Sequence, residues 1–234
     1  MAKKTREKFK VMKNVFDMFT LRTLFDLESK GHFIEDTLVP ISVGKESNIF
    51  WGESEQDNVI VKIYRVQSCD FNRMYDYIKH DPRFLKMKRQ RRKVILSWVQ
   101  REYRNLLNAR EAGVKAPIPY AILNNVIVME MIGDEVPAAK LKDDLPEKPK
   151  EFFNDIVDMT KRFYKYGYVH GDLSHFNILN YNQKPVFIDF SQSTTLNNPS
   201  AEEYLERDIN VVSEFFRKLG VKVDEKKVLK KIRS

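Results

Sequence analysis

The chain has 234 residues, of which 42% are hydrophobic and 12% aromatic, enough apolar side chain to build one large domain or two small lobes around a shared cleft. Lys and Arg number 41 against 33 Asp and Glu, an excess that suits a polyanionic partner such as nucleic acid or nucleotide phosphate and equally fits a plain basic globule. The one cysteine, Cys69, excludes an intrachain disulfide; no apolar run approaches the ~18 residues that span a bilayer, and the basic start MAKKTREKFK leads into no signal-peptide core, so a cytoplasmic protein without a membrane partner is expected.

In chain order, Phe9, Met12, Phe16 and Phe19 recur at helical spacing and predict an amphipathic N-terminal helix. Thr20 is placed to cap a second helix, through Leu24 and Leu27, that stops at Gly31. LVPISV, SNIFWG and NVIVKIYR then read as three short strands, residues 38–65. Residues 66–93 read as irregular and end in RFLKMKRQRRK, with seven basic residues among eleven. A helix is expected from about Ile95 to Ala112, stopped by Gly113, followed by strands in IPYAI and NVIVMEMI. KLKDDLPEKPK (140–150) reads as a charged linker. Phe152, Ile156, Met159 and Phe163 mark a helix, PVFIDF a buried strand, and Ser200 with Glu203 a capping box for a helix that Gly220 closes. The order predicts a two-lobe α+β plan.

Five polar residues stand out against this background. Lys62 interrupts the apolar strand VIVKIY, where an ammonium is costly unless it meets an anion, although an edge strand would let it face water. Glu102 lies on the apolar stripe of Ile95, Trp98, Leu106 and Ala109 and needs a partner, for which Lys62 is the natural candidate; such a pair holds a lysine for phosphate contact in protein kinases. Against the glycine loop G-x-G-x-x-G-x-V, the stretch Ser42-Val43-Gly44-Lys45-Glu46-Ser47-Asn48-Ile49 keeps only the middle glycine, and an ordinary hairpin turn explains it as well. In YVHGDLSHFNILN (168–180), Asp172 and Asn177 stand five apart, as in the H-R-D-x-x-x-x-N loop whose Asp takes the substrate proton and whose Asn holds Mg²⁺. Twelve residues further, Asp189 follows the apolar run VFI, where DFG-type kinases place their second metal ligand, and a carboxylate there suits Mg²⁺. Each of these residues alone has a mundane reading, Asp172 and Asn177 as turn residues among them. His170 and His175 have no third His or Cys at zinc spacing, which leaves His170 as a buried structural residue and His175 as an exposed one. The order of Lys62, Glu102, Asp172, Asn177 and Asp189 along the expected elements is what singles out the set.

On ISVGKESNIF, VIVKIYR, HDPRF, SWVQREYRNL, VMEMIG, VHGDLSHFNIL, FIDFSQS and YLERDINVVSEFF, spread over residues 20–219, the chain resembles a RIO-family atypical protein kinase, most of all the type-1 branch in an archaeal-like form without long tails or a winged helix. The resemblance implies a bilobal α+β kinase-like fold. Its β-rich, ATP-binding N-lobe would occupy residues 1–133, and a helical catalytic C-lobe, reduced and lacking an activation loop, 134–234. It implies that Lys62, fixed by Glu102, contacts the α/β-phosphates, that Ser42, Gly44, Lys45, Ser47 and Ile49 line the nucleotide, and that Met129, Glu130 and Ile132 form the adenine hinge. Asp172 would be the general base, Asn177 and Asp189 the ligands of Mg²⁺ (or Mn²⁺), and Asp189 a transient phosphate acceptor. It implies autophosphorylation or ATP hydrolysis, and action on the small ribosomal subunit; the basic residues 83–93 then read either as a solvated, mobile charge run or as a contact with ribosomal RNA. Gly171 stands where ordinary kinases carry an arginine that receives an activation-loop phosphate, and Ser191 where they have glycine. A small-molecule or tRNA-modification-complex kinase and a nucleotide-binding scaffold without turnover are the rival expectations.

Overall fold

The computed structural model describes residues 16–79 and 89–234. The expected helix around Phe9 and Met12, and most of the basic segment, lie outside them. The chain divides into two units that alternate in sequence. One runs up to Lys79, resumes through Gln100 and returns with Pro119–Met131; the other takes Arg101–Ile118 and Ile132–Ser234.

The first unit opens with helix α1, Met18–Glu28, whose N-cap is Asp17: its carboxylate accepts the Thr20 amide at 2.8 Å. Thr20 is therefore not the cap expected from sequence. Its hydroxyl is buried and accepts a hydrogen bond from Asn125. The helix stops at Glu28, three residues before the expected Gly31, which closes the following turn at φ 74°. Five antiparallel strands follow: β1 Val39–Val43, β2 Ser47–Glu53, β3 Asn58–Tyr64, β4 Pro119–Leu123 and β5 Val126–Glu130, in the order β1-β2-β3-β5-β4. Period-2 alternation sends Phe50, Val59, Val61, Ile63, Val126 and Val128 to one face, where they pack with Leu24 and Leu27 of α1 and with Phe33 and Leu38. Burying each such side chain contributes about 1.5–3 kcal/mol. The alternation also fixes the opposite face, on which Ile49, Lys62 and Ile127 stand in register across three strands.

Residues 66–93 are not wholly irregular. Asp70 caps a helix α2, Phe71–Ile78, by accepting the Arg73 amide, and Met74 and Ile78, four apart, are buried. Phe71, Met74 and Ile78 stand at helical spacing, i, i+3 and i+7, so the period was present in the sequence. Helix α3 spans Arg91–Glu111, beginning before Ile95 because Arg and Lys are good helix formers.

In the second unit, helix α4, Pro149–Lys165, starts on a proline at its first turn and buries Phe152, Phe153, Ile156, Met159 and Phe163. Strands β6 Tyr168–Val169 and β9 Thr194–Thr195 pair with each other, as do β7 Ile178–Tyr181 and β8 Lys184–Phe187. Helices α5, Ala201–Lys218, and α6, Glu225–Arg233, complete the unit. Two expectations are corrected here. Residues 140–150 are no free linker: the Leu141 side chain is fully buried, its amide donates to Ile178 O at 2.8 Å, and Lys140 bridges to Leu179. Leu141 anchors the segment to β7, while Leu145 is exposed. Ser200 does occupy the N-cap of α5, but its hydroxyl makes no capping bond. Asn198 organises that turn instead, its side-chain oxygen accepting from the Ser200 amide and its carbonyl from that of Ala201. Between Asp189 and α5 lie only a 3₁₀ turn, Phe190–Gln192, and β9, so a long activation segment has no room there.

Candidate active site

Each unit carries its own share of the expected residues. In the first, β3 is flanked by β2 and β5, which places Lys62 in the middle of the sheet opposite Ile49 and Ile127 and leaves it only 5% exposed. The edge-strand reading of Lys62 is thereby excluded. Its ammonium lies 5.2 Å from the Tyr64 ring, and burial of the charge makes an anionic partner a requirement of the fold. Glu102, on the part of α3 that belongs to the second unit, is 1% exposed and has the mirror-image requirement.

Ser42 is the next-to-last residue of β1 and is exposed, while Ile49 sits in β2. Between them the turn 44–47 is held by its own backbone. The Gly44 amide donates to Ser47 O at 3.0 Å, Glu46 O accepts the Arg65 amide at 2.9 Å, and Lys45 O accepts the Ser68 hydroxyl. A Cβ on Gly44 would come to 3.0 Å from Ser47 O, so the turn closes tightly only without a side chain there. At the end of β5, Met129 pairs with Ile60 and Glu130 with Val59. The Met131 amide then donates to Asn58 O, and in the second unit Ile132 O accepts from Ala138.

The loop after β6 carries Asp172 and Asn177, and Asp189 follows β8. Asn177 Nδ2 donates to the Asp172 carbonyl at 2.8 Å and to its carboxylate at 3.0 Å. The Asn177 carbonyl accepts the amide of Ile188, the residue before Asp189, at 3.0 Å. One hydrogen-bonded chain thus links all three positions. With Nδ2 committed to Asp172, the asparagine offers its oxygen as the ligand, and an amide oxygen with carboxylates is the donor set a hard cation such as Mg²⁺ takes. Asp189 adopts a left-handed conformation, φ 60° and ψ 68°, which costs a non-glycine residue on the order of 1–3 kcal/mol unless the surroundings enforce it.

Two further residues fix this loop. Asp208 of α5, 2% exposed, accepts the amides of Gly171 at 2.8 Å and Leu173 at 3.0 Å, gripping the backbone on both sides of Asp172. Burial pushes its carboxyl up to about 7 against the lowering effect of those amides and of Arg207. Arg207 donates to the Gly171 carbonyl. Sequence reasoning gave Asp208 no role. The signal was present, since it is a carboxylate on the apolar stripe of Leu205, Ile209 and Val212, the same anomaly that drew attention to Glu102. His170 is buried, its ring bonded to Ile188 O at 3.2 Å and lowered to about 4, chiefly by desolvation, so it stays neutral. His175 is half-buried rather than exposed, stacked on Phe215 at 4.7 Å.

Gly171 has a second reason to be glycine. Its φ is 79°, and a Cβ there would lie 2.9 Å from Gln192 O. Gly171→Ala is therefore expected to lower stability by about 1–3 kcal/mol and to shift the Asp172 backbone; thermal melting and turnover of the variant would both fall, and a wild-type melting curve would contradict the contact.

Of the basic segment, residues 89–93 are described, and their arginines are engaged within the first unit. Arg89 bonds Asn72 and sits over Tyr75, Arg91 donates to Cys69 O, and Arg92 stacks on Phe19 at 3.7 Å.

The fold is that of a protein kinase. It matches the Rio2 kinase of Chaetomium thermophilum, solved with ADP, Mg²⁺ and phosphoaspartate, with a TM-score of 0.66 at 22% identity over 89% of this chain and 64% of that one. A second Rio2 structure from the same organism matches at 0.64 and 26% identity over 83% and 60%, so the chain spans a little under two thirds of those kinases. Residues 48–228 match the RIO domain, and the chain belongs to the RIO family. It is 38% identical to the RIO-type serine/threonine-protein kinase Rio1 of Haloferax volcanii over 96% of this chain and 78% of that protein. The corresponding figures for the Methanocaldococcus jannaschii Rio1 are 40%, 98% and 79%. Human RIO1 is 32% identical over 91% of this chain and 38% of its own length.

Proposed function

We propose that this protein is a serine/threonine kinase of RIO type that uses ATP and Mg²⁺, phosphorylates itself, hydrolyses ATP, and acts in the cytoplasm on the maturing small ribosomal subunit. The observation that carries the reading is the Asn177–Asp172 hydrogen-bond pair, anchored by Asp208 and joined through Ile188 to Asp189. Relatives with 38% and 40% identity are named RIO-type serine/threonine kinases, and a structural neighbour holds ADP, Mg²⁺ and phosphoaspartate.

In this reading Asp172 accepts the proton of the attacking hydroxyl, and Asn177 keeps its carboxylate turned toward that hydroxyl. Lys62, fixed by Glu102, takes the α/β-phosphates; Ser42, Gly44, Lys45, Ser47 and Ile49 line the nucleotide, and Met129, Glu130 and Ile132 receive adenine. Asn177 and Asp189 would hold Mg²⁺, which supplies neutralisation of the charge that develops on the γ-phosphoryl oxygens. Asp189 also serves as transient phosphate acceptor. The basic residues 83–93 meet ribosomal RNA, a contact for which Arg89, Arg91 and Arg92 must exchange their intramolecular partners for phosphate. The test is radiolabelled ATP with Mg²⁺, with and without small ribosomal subunits. Self-labelling and phosphate release that rises when subunits are added are expected. Turnover indifferent to subunits, or label passing to a small alcohol instead, would overturn the assignment.

A further inference from the structure

We infer that Asn105 is a positioning residue that holds Asp189 in its left-handed conformation and thereby keeps the metal-binding carboxylate permanently aimed; the inference rests on the reading of Asp189 given above. Asn105 lies on α3, is 0% exposed, and points its amide nitrogen at two carbonyls of one turn. Nδ2 donates to Phe190 O at 2.9 Å and to Ser193 O at 2.8 Å. Those two carbonyls bracket the 3₁₀ turn that begins immediately after Asp189.

The same turn is tied at Gln192, Ser193 and Phe190 as well. Arg101, one helical turn before Asn105, donates to Gln192 O at 3.3 Å. The Ser193 hydroxyl donates to His170 O at 3.0 Å. Phe190 is 0% exposed, with its ring 4.7 Å from His170 and 5.7 Å from Phe163. On the other side of Asp189, His170 bonds Ile188 O. An unfavourable backbone conformation persists only where its neighbours over-determine it, and here both flanks of Asp189 are fixed. Relaxation of Asp189 to right-handed or extended backbone would rotate the Phe190 peptide and pull its carbonyl from Asn105. A segment clamped in this way does not swing in and out as part of a switch, which agrees with the short connection from Asp189 to α5. Outer partners that orient a metal ligand are worth about 10–100-fold in metal affinity or activity, and Asn105 acts at that remove.

The experiment uses the full chain and reads ADP affinity with and without Mg²⁺, the Mg²⁺ concentration for half-maximal phosphate release, and the melting temperature. For Asn105→Ala, ADP affinity in EDTA is expected to match wild type, while the half-saturating Mg²⁺ concentration rises about 10–100-fold. An additional loss of the same size in the Asp189→Asn background would overturn the inference, because a residue acting through the Asp189 carboxylate has nothing left to act on there. A half-saturating Mg²⁺ concentration equal to wild type in folded Asn105→Ala would overturn it as well. If Asn105→Ala does not fold, Ser193→Ala removes one tie of the same turn at the cost of a single hydroxyl and must shift Mg²⁺ dependence in the same direction. Asp189→Asn alone separates the two levels: unchanged Mg²⁺ dependence in that variant would remove the metal role of Asp189 itself, whatever Asn105 does.

Discussion

Asp172→Ala is expected to reduce phosphoryl transfer by about 10²–10⁴-fold, the usual worth of a positioned general base, while ADP still binds. The separation follows from where the residues lie. The strand lysine and the 44–47 turn belong to the sheet unit, whereas Asp172 belongs to the helical unit, where its carboxylate is bonded to Asn177. Asp172→Asn sharpens the test, because it retains the shape of the loop and the backbone bond from Asn177 to the residue 172 carbonyl but has no basic oxygen to take a proton. Both variants should therefore lose turnover alike, and only the alanine variant should also disturb the loop. The measurements are γ-phosphate release and self-labelling beside fluorescent-nucleotide binding. Wild-type turnover in either variant would remove Asp172 from the role of base.

The features legible in sequence share one physical property: they are polar groups where apolar ones belong. Lys62 inside VIVKIY and Glu102 on the Ile95–Ala109 stripe stand out because burying a charge is expensive, and the structure finds both buried. Asp172 and Asn177 were legible by spacing, and the fold joins them directly. Strand positions followed from alternation, which is why β1 to β5 fall where the apolar runs lie. What escaped depends on contacts distant in sequence. Asn105 bonds Phe190 and Ser193 across 85 and 88 residues, and no local pattern reveals the destination of a buried amide. Residues 140–150 read as a linker because Leu141 and Leu145 stand among charges and prolines, yet Leu141 is fully buried and backbone bonds from Leu141 to Ile178 and from Lys142 to His175 tie the segment down. The caps failed for the related reason that Asp17 and Thr20 are both good candidates, and Thr20 was already engaged by Asn125.

Asp208 supports the second large expectation, which concerns stability and its dependence on pH. Asp208→Ala leaves the buried amides of Gly171 and Leu173 without acceptors and is expected to cost about 2–5 kcal/mol, together with most of the turnover, since the loop carrying Asp172 loses its anchor. Asp208→Asn is the gentler probe because it retains one acceptor oxygen. The carboxyl is raised from 3.8 to about 7, by burial first and by Asp172 in addition. Its contribution to stability is therefore complete below about pH 3.8 and lost as pH rises through about 7. His170 acts with the opposite sign. Lowered by burial from 6.5 to about 4, it contributes fully above pH 6.5 and loses that contribution as pH falls through 4. Between these limits the two slopes oppose each other in the wild-type protein, each worth about 1.4 kcal/mol per pH unit. Removing the Asp208 titration leaves that of His170 uncompensated. Asp208→Asn should thus gain melting temperature steadily from pH 4.5 to 6.5 relative to wild type measured in the same buffers. Parallel curves would show that Asp208 titrates alike in the folded and unfolded chain. The two amides beside Asp172 would then be held by a carboxylate whose charge burial leaves unperturbed.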